Sequence, residues 1–253
     1  MDSEVEVTGK TSGRRRSFAE ITGVITDRDL ECLAWVISQG VMTGDQIYRA
    51  IYEGSNTKSS RYAYKRIQFL ESSGYLESIR APHKRDRFLK GTRAALRLLS
   101  VKNYPDLPGS LCTPTISEFP HAEVLTDIRI AILKSGRHSN GLWWRGEGVL
   151  LQDSTFPKER FRDLLPDALW TTKGGQRIAI EFERARKGIT RVRKKVEALD
   201  QELRREDRVF DMVLWVAVDG SYRDLKLALQ NRDTQVLRSI PEFLSELKNG
   251  GGK

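Results

Sequence analysis

The chain has 253 residues, 39% hydrophobic and 30% charged, which is enough for one large domain or two ordinary ones. Its net charge of +9 favours nucleic acid or another acidic surface as a partner. The longest uncharged apolar run, residues 212–218, is far shorter than the ~20 residues of a membrane-spanning helix, so no membrane partner is expected.

The basic residues are concentrated in two places. Between residues 55 and 104 there are twelve Lys and Arg against three acids, and between residues 184 and 195 there are seven against none. The two cysteines form neither a disulfide framework nor a zinc-binding spacing, which suits a reducing cytoplasm. We therefore expect a cytoplasmic protein with two surfaces for phosphate contact.

Residues 1–25 lack apolar periodicity and are predicted to be a flexible basic arm. A first domain is predicted over residues 26–102. Its first helix begins at Thr26-Asp27 and ends at Gly40, and a second short helix opens at Thr43. A third, capped by Ser59 or Ser60 with Tyr64, Ile67, Phe69 and Leu70 as its apolar face, stops at Gly74. Extended runs follow at residues 75–79 and 87–89, separated by a basic turn.

Three helices followed by a two-stranded basic wing are typical of a winged helix, whose third helix enters the major groove of DNA. The predicted DNA contacts on the third helix and the wing are Arg61, Tyr62, Lys65, Arg66, Gln68, Lys84, Arg85 and Arg87. The alternative interpretations are that these charges are merely solvated, or that the domain docks another protein.

Residues 103–120 are rich in Pro, Ser and Thr and are predicted to be a linker. A second domain, residues 121–253, begins with a helix over 121–136 and continues with three strands. The last two of these strands, "LLPDALWTT" and "GGQRIAIEFE", are joined by a Gly-Gly turn. A long basic helix, a mainly apolar strand over 209–218, and a final helix and strand complete the domain.

Carboxylates stand at the ends of these strands. Asp167 follows Pro166, and Glu181 and Glu183 share one face because side chains alternate along a strand. Glu123 in the opening helix and Glu147 after the first strand could reach the same place. Phosphodiester hydrolysis needs Mg²⁺ or Mn²⁺, which carboxylates hold, to offset charge on the phosphate and orient water. The alternative is an ordinary half-exposed strand.

The element order helix, three strands, helix, strand resembles the PD-(D/E)xK nuclease fold, so the overall class is α+β with a winged helix in front. That family usually has Lys two residues after the metal-binding acid, where this chain has Glu183. Lys187 could serve instead, or Glu183 could be a further metal ligand. The predicted contacts to the DNA backbone from the basic helix are Arg191, Arg193, Lys194 and Lys195.

The stretches "HAEVLTDIRIAIL", "PDALW" and "IEFERARKGITRVRKKVEAL" resemble the replication-relaxation proteins and the related MobC-type relaxases of bacterial mobile elements. The resemblance implies metal-dependent nicking of double-stranded DNA at an origin of transfer or replication. It places Asp167, Glu181, Glu183 and Lys187 in the catalytic site, with Glu123 as a further metal ligand. A homodimer and other relaxosome proteins are candidate partners. The alternative is a non-catalytic transcriptional regulator or relaxosome accessory factor with a degenerate nuclease-like domain.

Overall fold

The computed structural model describes most of the chain, and contacts along its backbone divide it into two units. These units are Met1–Thr126 and Asp127–Lys253. The described residues are 24–53, 60–81, 87–104, 107, 110–140, 143–161, 165–184 and 188–249. Helices occur with a separate sheet in each unit, so the mixed α and β class expected from the sequence is confirmed.

The first unit combines helices with a small antiparallel sheet whose strand order is β1-β3-β2. Its strands are β1 (Met42–Thr43), β2 (Leu76–Arg80) and β3 (Arg87–Gly91). Its helices are α1 (Asp27–Gln39), α2 (Gly44–Ile47), a π-helical continuation over Tyr48–Tyr52, α3 (Ser60–Ser72) and α4 (Arg93–Val101). A 3₁₀ turn at Ile116–Glu118 leads into α5 (Phe119–Ser135), which begins in this unit and ends in the second.

The predicted starts of the first two helices are confirmed by their capping groups. The side chain of Thr26 accepts a hydrogen bond from the backbone N–H of Asp29, and the carboxylate of Asp29 accepts one from the backbone N–H of Thr26. Thr43 and Gln46 form the same capping box for α2. Gly40 ends α1 with a φ of 79°. A Cβ at Gly40 would meet the carbonyl oxygen of Cys112 at 2.4 Å, so glycine is required there.

A buried ion pair joins α1 to α3. Asp29 and Arg66 are both almost wholly inaccessible, and Arg66 Nε donates to Asp29 Oδ1 at 3.0 Å while its Nη2 donates to Oδ2. Asp29 Oδ2 also accepts from the backbone and hydroxyl of Thr26, at 2.8 and 2.7 Å. The carboxylate is therefore surrounded by donors, which offset the cost of burying its charge.

The second unit is built on one five-stranded sheet with the order β4-β5-β6-β7-β8. The strands β4 to β6 are antiparallel, whereas β6, β7 and β8 run parallel. Its strands are β4 (Trp144–Gly146), β5 (Ala168–Thr171), β6 (Arg177–Glu183), β7 (Met212–Ala217) and β8 (Gln235–Ser239). Its further helices are α6 (Glu147–Leu150), α7 (Lys158–Phe161), α8 (Ile189–Leu203), α9 (Asp219–Ala228) and α10 (Ile240–Asn249).

Helices α8 and α9 are the crossovers between the parallel strands, and they cover the same apolar core. Ala179 of β6 and Trp215 of β7 belong to that core together with Val196 of α8 and Leu225 of α9. Because side chains alternate along a strand, Glu181 and Glu183 lie on the same face of β6 as Ala179. The fold thus carries both glutamates toward the face that α8 covers.

The strand β6, which follows the Gly-Gly turn, and the apolar strand β7 lie where the sequence placed them. Neither β1 nor α10 was predicted. A two-residue strand has no measurable alternation, whereas Ile240, Phe243, Leu244 and Leu247 of α10 have the helical spacing that could have indicated it. Tyr64 was assigned to the apolar face of the third helix, yet it is 44% exposed. No helix in the described part of the chain is long and apolar enough to cross a membrane.

We expect Asp29→Asn to destabilise the first unit by about 3–5 kcal/mol, because it leaves Arg66 as a buried charge without its counter-ion. Asp45→Asn is the matched control, since it breaks only the exposed pair between Asp45 and Arg49. That control should cost less than about 0.5 kcal/mol. Urea unfolding of the two variants measures the difference, and equal losses would contradict the structural role given to Asp29.

Candidate catalytic site

Asp167 and Glu181 come together where β5 begins and β6 ends. Ala168 pairs with Ile180 in the antiparallel register, so one step further along the two strands Asp167 stands opposite Glu181. Asp167 Oδ2 accepts a hydrogen bond of 2.7 Å from the backbone N–H of Phe182. This bond holds the carboxylate of Asp167 against the end of β6.

Both glutamates of β6 are buried, with Glu181 only 2% and Glu183 only 5% exposed. The backbone carbonyl of Glu183 accepts hydrogen bonds from Ser221 Oγ at 2.8 Å and from Val218 N at 3.3 Å. The end of β6 is therefore fixed by the start of α9 as well as by neighbouring strands. The ordinary half-exposed strand that the sequence left open is not what the fold shows.

The cation that faces these acids comes from the middle of α8. Lys195 Nζ lies 2.5 Å from Glu181 Oε2, and the lysine side chain is 21% exposed. Burial lowers the pKa of Lys195, but the charges of Glu181, Asp167 and Glu183 outweigh burial and raise its pKa above the ordinary value. The ammonium is thus a stable positive charge within a group of three carboxylates.

A divalent cation such as Mg²⁺ would need oxygen ligands from the carboxylates at the end of β6. Among the described residues no three His, Cys, Asp or Glu side chains are grouped so as to hold one metal ion. Mg²⁺ is commonly held by one or two carboxylates and completed by water and substrate phosphate. Asp167 and Glu181, adjacent in register on one face, fit that smaller requirement, whereas no cage of three or four carboxylates forms within the described part of the chain.

Other residues of the predicted site lie elsewhere or outside the described residues. Lys187 is outside them, so its role stays a prediction. Glu123 lies in the first unit, where its backbone carbonyl accepts a hydrogen bond from Gln46, and its role as a ligand also stays a prediction. Glu147 is exposed, and its backbone N–H donates to the carbonyl of Asp167 at 3.0 Å.

Lys195 was expected to contact DNA with its neighbours on α8, and the structure gives it a different environment. Arg191, Arg193 and Lys194 are exposed, whereas Lys195 is partly buried against Glu181. The sequence could have indicated that Lys195 faces inward, because it lies three residues after Val192 and four before Leu199, on the apolar stripe of the helix. A lysine on such a stripe needs a buried partner.

The predicted DNA-contacting residues of α3 divide into two groups. Arg61 and Gln68 are exposed and Lys65 is half-buried, and together with exposed Tyr64 they form one stripe. Tyr62 is half-buried, and its ring packs edge-on against that of Tyr52, with 6.1 Å between centroids.

Arg66 requires a correction, because it is buried in the ion pair with Asp29 and does not face solvent. On the wing, Lys84 and Arg85 lie outside the described residues. Arg87 is exposed and forms a two-pronged pair with Glu71 at 2.8 Å. The exposed face of α3 therefore contains Tyr64 and not Arg66. Helical spacing could have indicated this, because Tyr64 lies three residues after Arg61 and four before Gln68.

A cavity of about 770 Å³ lies on the opposite face of the sheet of the second unit. Trp170, Ile178 and Leu214 line it from the sheet, and Phe243 and Leu247 line it from α10. None of the carboxylates at the end of β6 lines this cavity. The carboxylate cluster and this cavity therefore lie on opposite faces of the sheet.

We expect Lys195→Met to destabilise the protein at pH 7 by about 2–3 kcal/mol, a value reduced from that of a fully buried pair because Lys195 is partly exposed. Because the pKa of Lys195 is raised in the folded protein, its contribution to the free energy of unfolding is complete below the ordinary lysine pKa of about 10.4. The contribution is lost as the pH rises through the raised value.

Urea unfolding of wild type and Lys195→Met at a series of pH values measures this contribution. The difference between them should shrink in strongly alkaline solution, where Lys195 of the wild type loses its proton. Lys194→Met, on the exposed neighbour, is the control and should be nearly neutral. A difference that already disappears near pH 8 would be inconsistent with the ion pair.

No curated protein matches the chain. A family model described as replication-relaxation matches residues 33–207, which is more than half of the chain. The match includes α3 of the first unit and Asp167, Glu181 and Lys195 of the second. Membership suggests a role in the replication or transfer of a plasmid or other mobile element. The chain belongs to the replication-relaxation family.

Proposed function

We propose that this protein binds double-stranded DNA of a mobile element through its first unit and nicks one strand at the carboxylate cluster of its second unit. The observation that carries the proposal is the ammonium of Lys195, 2.5 Å from Glu181 and within the field of Asp167 and Glu183. Two carboxylates and a lysine are the groups that metal-dependent phosphodiester cleavage uses.

The order of elements in the first unit supports a winged helix. Helices α1, α2 and α3 precede the antiparallel pair β2 and β3, and β1 completes the small sheet. In such a fold the third helix reads the major groove. The exposed stripe of Arg61, Tyr64, Lys65 and Gln68 on α3 offers charge for phosphates and hydrogen-bonding groups for base edges.

The second unit supports a PD-(D/E)xK nuclease-like fold. Strands β4, β5 and β6 form an antiparallel run, and the crossover helix α8 then leads to β7, parallel to β6. Asp167 and Glu181 stand at the matching strand ends. The nuclease family usually has a lysine at the position that Glu183 occupies. In this chain Lys195 of α8 would supply that positive charge, so Glu183 alone does not argue against a catalytic site.

In the proposed mechanism Asp167 and Glu181 would hold Mg²⁺ or Mn²⁺, and the ion would supply positive charge to offset that of the scissile phosphate and to orient a water. The backbone N–H of Phe182 keeps Asp167 in place. Lys195 stabilises the negative charge that develops on the phosphate. Arg191, Arg193 and Lys194, exposed on the same helix, contact the flanking DNA backbone.

One observation favours a second candidate function. The ammonium of Lys195 already balances the charge of Glu181 inside the protein, so Glu181 does not need a metal ion as its counter-ion. The second unit would then be a non-catalytic platform, and the protein would be a transcriptional regulator or a relaxosome accessory factor. Both candidates share the DNA-binding first unit and differ only in what happens at Glu181.

Nicking of a supercoiled plasmid that carries the region around the protein's own gene distinguishes the two candidates. With Mg²⁺ or Mn²⁺ we expect the wild type to convert it to the open-circular form. Asp167→Asn and Lys195→Met should each slow the reaction by at least about 100-fold, the scale on which loss of one stabilising group acts. Lys226→Met, at an exposed lysine of α9 that has no part in the proposed site, should nick at nearly the wild-type rate. Tight binding without nicking would favour the non-catalytic function.

DNA binding by the first unit is tested on the stripe of α3. Arg61→Ala should weaken binding to all sequences and reduce the slope of log K against log salt by about 1. Tyr64→Ala should instead reduce discrimination between sites, by about 1–3 kcal/mol. Arg97→Ala removes an exposed arginine of α4 and is the control. Unchanged affinity and salt dependence in Arg61→Ala would contradict the predicted role of α3.

A further inference from the structure

A chain of buried hydrogen bonds links β7, β8 and α8 beside the carboxylate cluster. Trp215 Nε1 donates to Gln235 Oε1 at 2.9 Å, and Gln235 Nε2 donates to the backbone carbonyl of Val196 at 3.0 Å. Both side chains are buried, and Gln235 is a polar residue at the edge of an apolar core. A buried amide that makes these directed bonds does more than fill space.

The two ends of this chain flank the ion pair of the site. Trp215 is the register partner of Glu181 on the neighbouring strand, and it lies on the same face of the sheet. Val196 follows Lys195 directly in α8. The bonds therefore connect the strand position beside Glu181 with the helical turn that carries the cation of Glu181.

The bonds restrict a motion that apolar packing leaves comparatively free. Contacts of Val192, Val196 and Leu199 with the sheet hold α8 against it, but burial of apolar surface has no preferred direction. A hydrogen bond from β8 to one carbonyl of the helix specifies its rotation and its axial position. On the next turn Asp200 binds Arg204 at 2.9 Å and also pairs with Arg232, which anchors the helix a second time.

We propose that Gln235, oriented by Trp215, is a positioning residue that sets α8 so that Lys195 stays on Glu181. It acts through Val196. Its effect on catalysis rests on the proposed function, whereas its effect on the place of Lys195 does not.

Acylation of lysines by an amine-reactive ester, quantified by mass spectrometry at one fixed pH, reports how well Lys195 is held. The exposed Lys194 is the internal reference in the same peptide region. In Gln235→Met the ratio of Lys195 to Lys194 modification should rise about fivefold, the factor expected from loss of one buried hydrogen bond. Gln230→Met, the same change at an exposed glutamine of the same unit, should leave the ratio unchanged.

Trp215→Phe provides a second test, because it removes the indole donor and keeps most of the ring packing. It should raise the same ratio, by less than Gln235→Met does. Cooperative urea unfolding shows whether each variant is folded. A folded Gln235→Met protein with the wild-type ratio would overturn the proposal, and if that variant does not fold, an unchanged ratio in Trp215→Phe would do so.

Nicking assays separate this proposal from the proposed function. If the wild type nicks, Gln235→Met should lower kcat and leave KM unchanged, because Gln235 lies away from the exposed basic face of α8. Loss of affinity with kcat unchanged would contradict a positioning role. If the wild type does not nick, the proposed function fails, and the acylation ratio still decides whether Gln235 positions Lys195.

Discussion

A carboxylate that is removed from water must have a cation or several donors beside it, and this constraint governs the end of β6. Glu181 and Glu183 are carried into the covered face of the sheet by the same alternation that buries Ala179. The charge of Glu181 is offset by Lys195. Lys195 is thus the inward cation of α8, while Arg191 and Arg193 lie exposed on the outer face of the helix.

The first unit contains a second buried ion pair with a different consequence. Asp29 is surrounded by donors from Thr26 and Arg66, so its carboxylate is fully used in holding α1 and α3 together. The pair of Glu181 and Lys195 lies instead at a strand end, with Asp167 and Glu183 acting on the same ammonium. Three carboxylates around one lysine leave an excess of negative charge, which the proposed metal ion would offset, whereas the pair of Asp29 and Arg66 leaves no such excess.

The same sequence pattern underlies both pairs. Arg66 lies on the buried stripe of Ala63, Ile67 and Leu70, and Lys195 lies on the equivalent stripe of Val192, Val196 and Leu199. Counting basic residues placed both on DNA-facing surfaces, because charge density along the chain does not distinguish the two sides of a helix. Helical spacing does distinguish the two sides, and it assigns Tyr64 to the exposed side and Arg66 and Lys195 to the inward side.

The sequence by itself determined the helix starts at Thr26 and Thr43, the order of the strands from β2 to β8, and the shared face of Glu181 and Glu183. These features depend on local capping groups and on alternation, which act over a few residues. Only the tertiary structure decided which acid each inward cation meets. Arg66 reaches Asp29 across 37 positions and Lys195 reaches Glu181 across 14. Such pairings follow from how each helix is rotated against its neighbours, and local sequence does not specify that rotation.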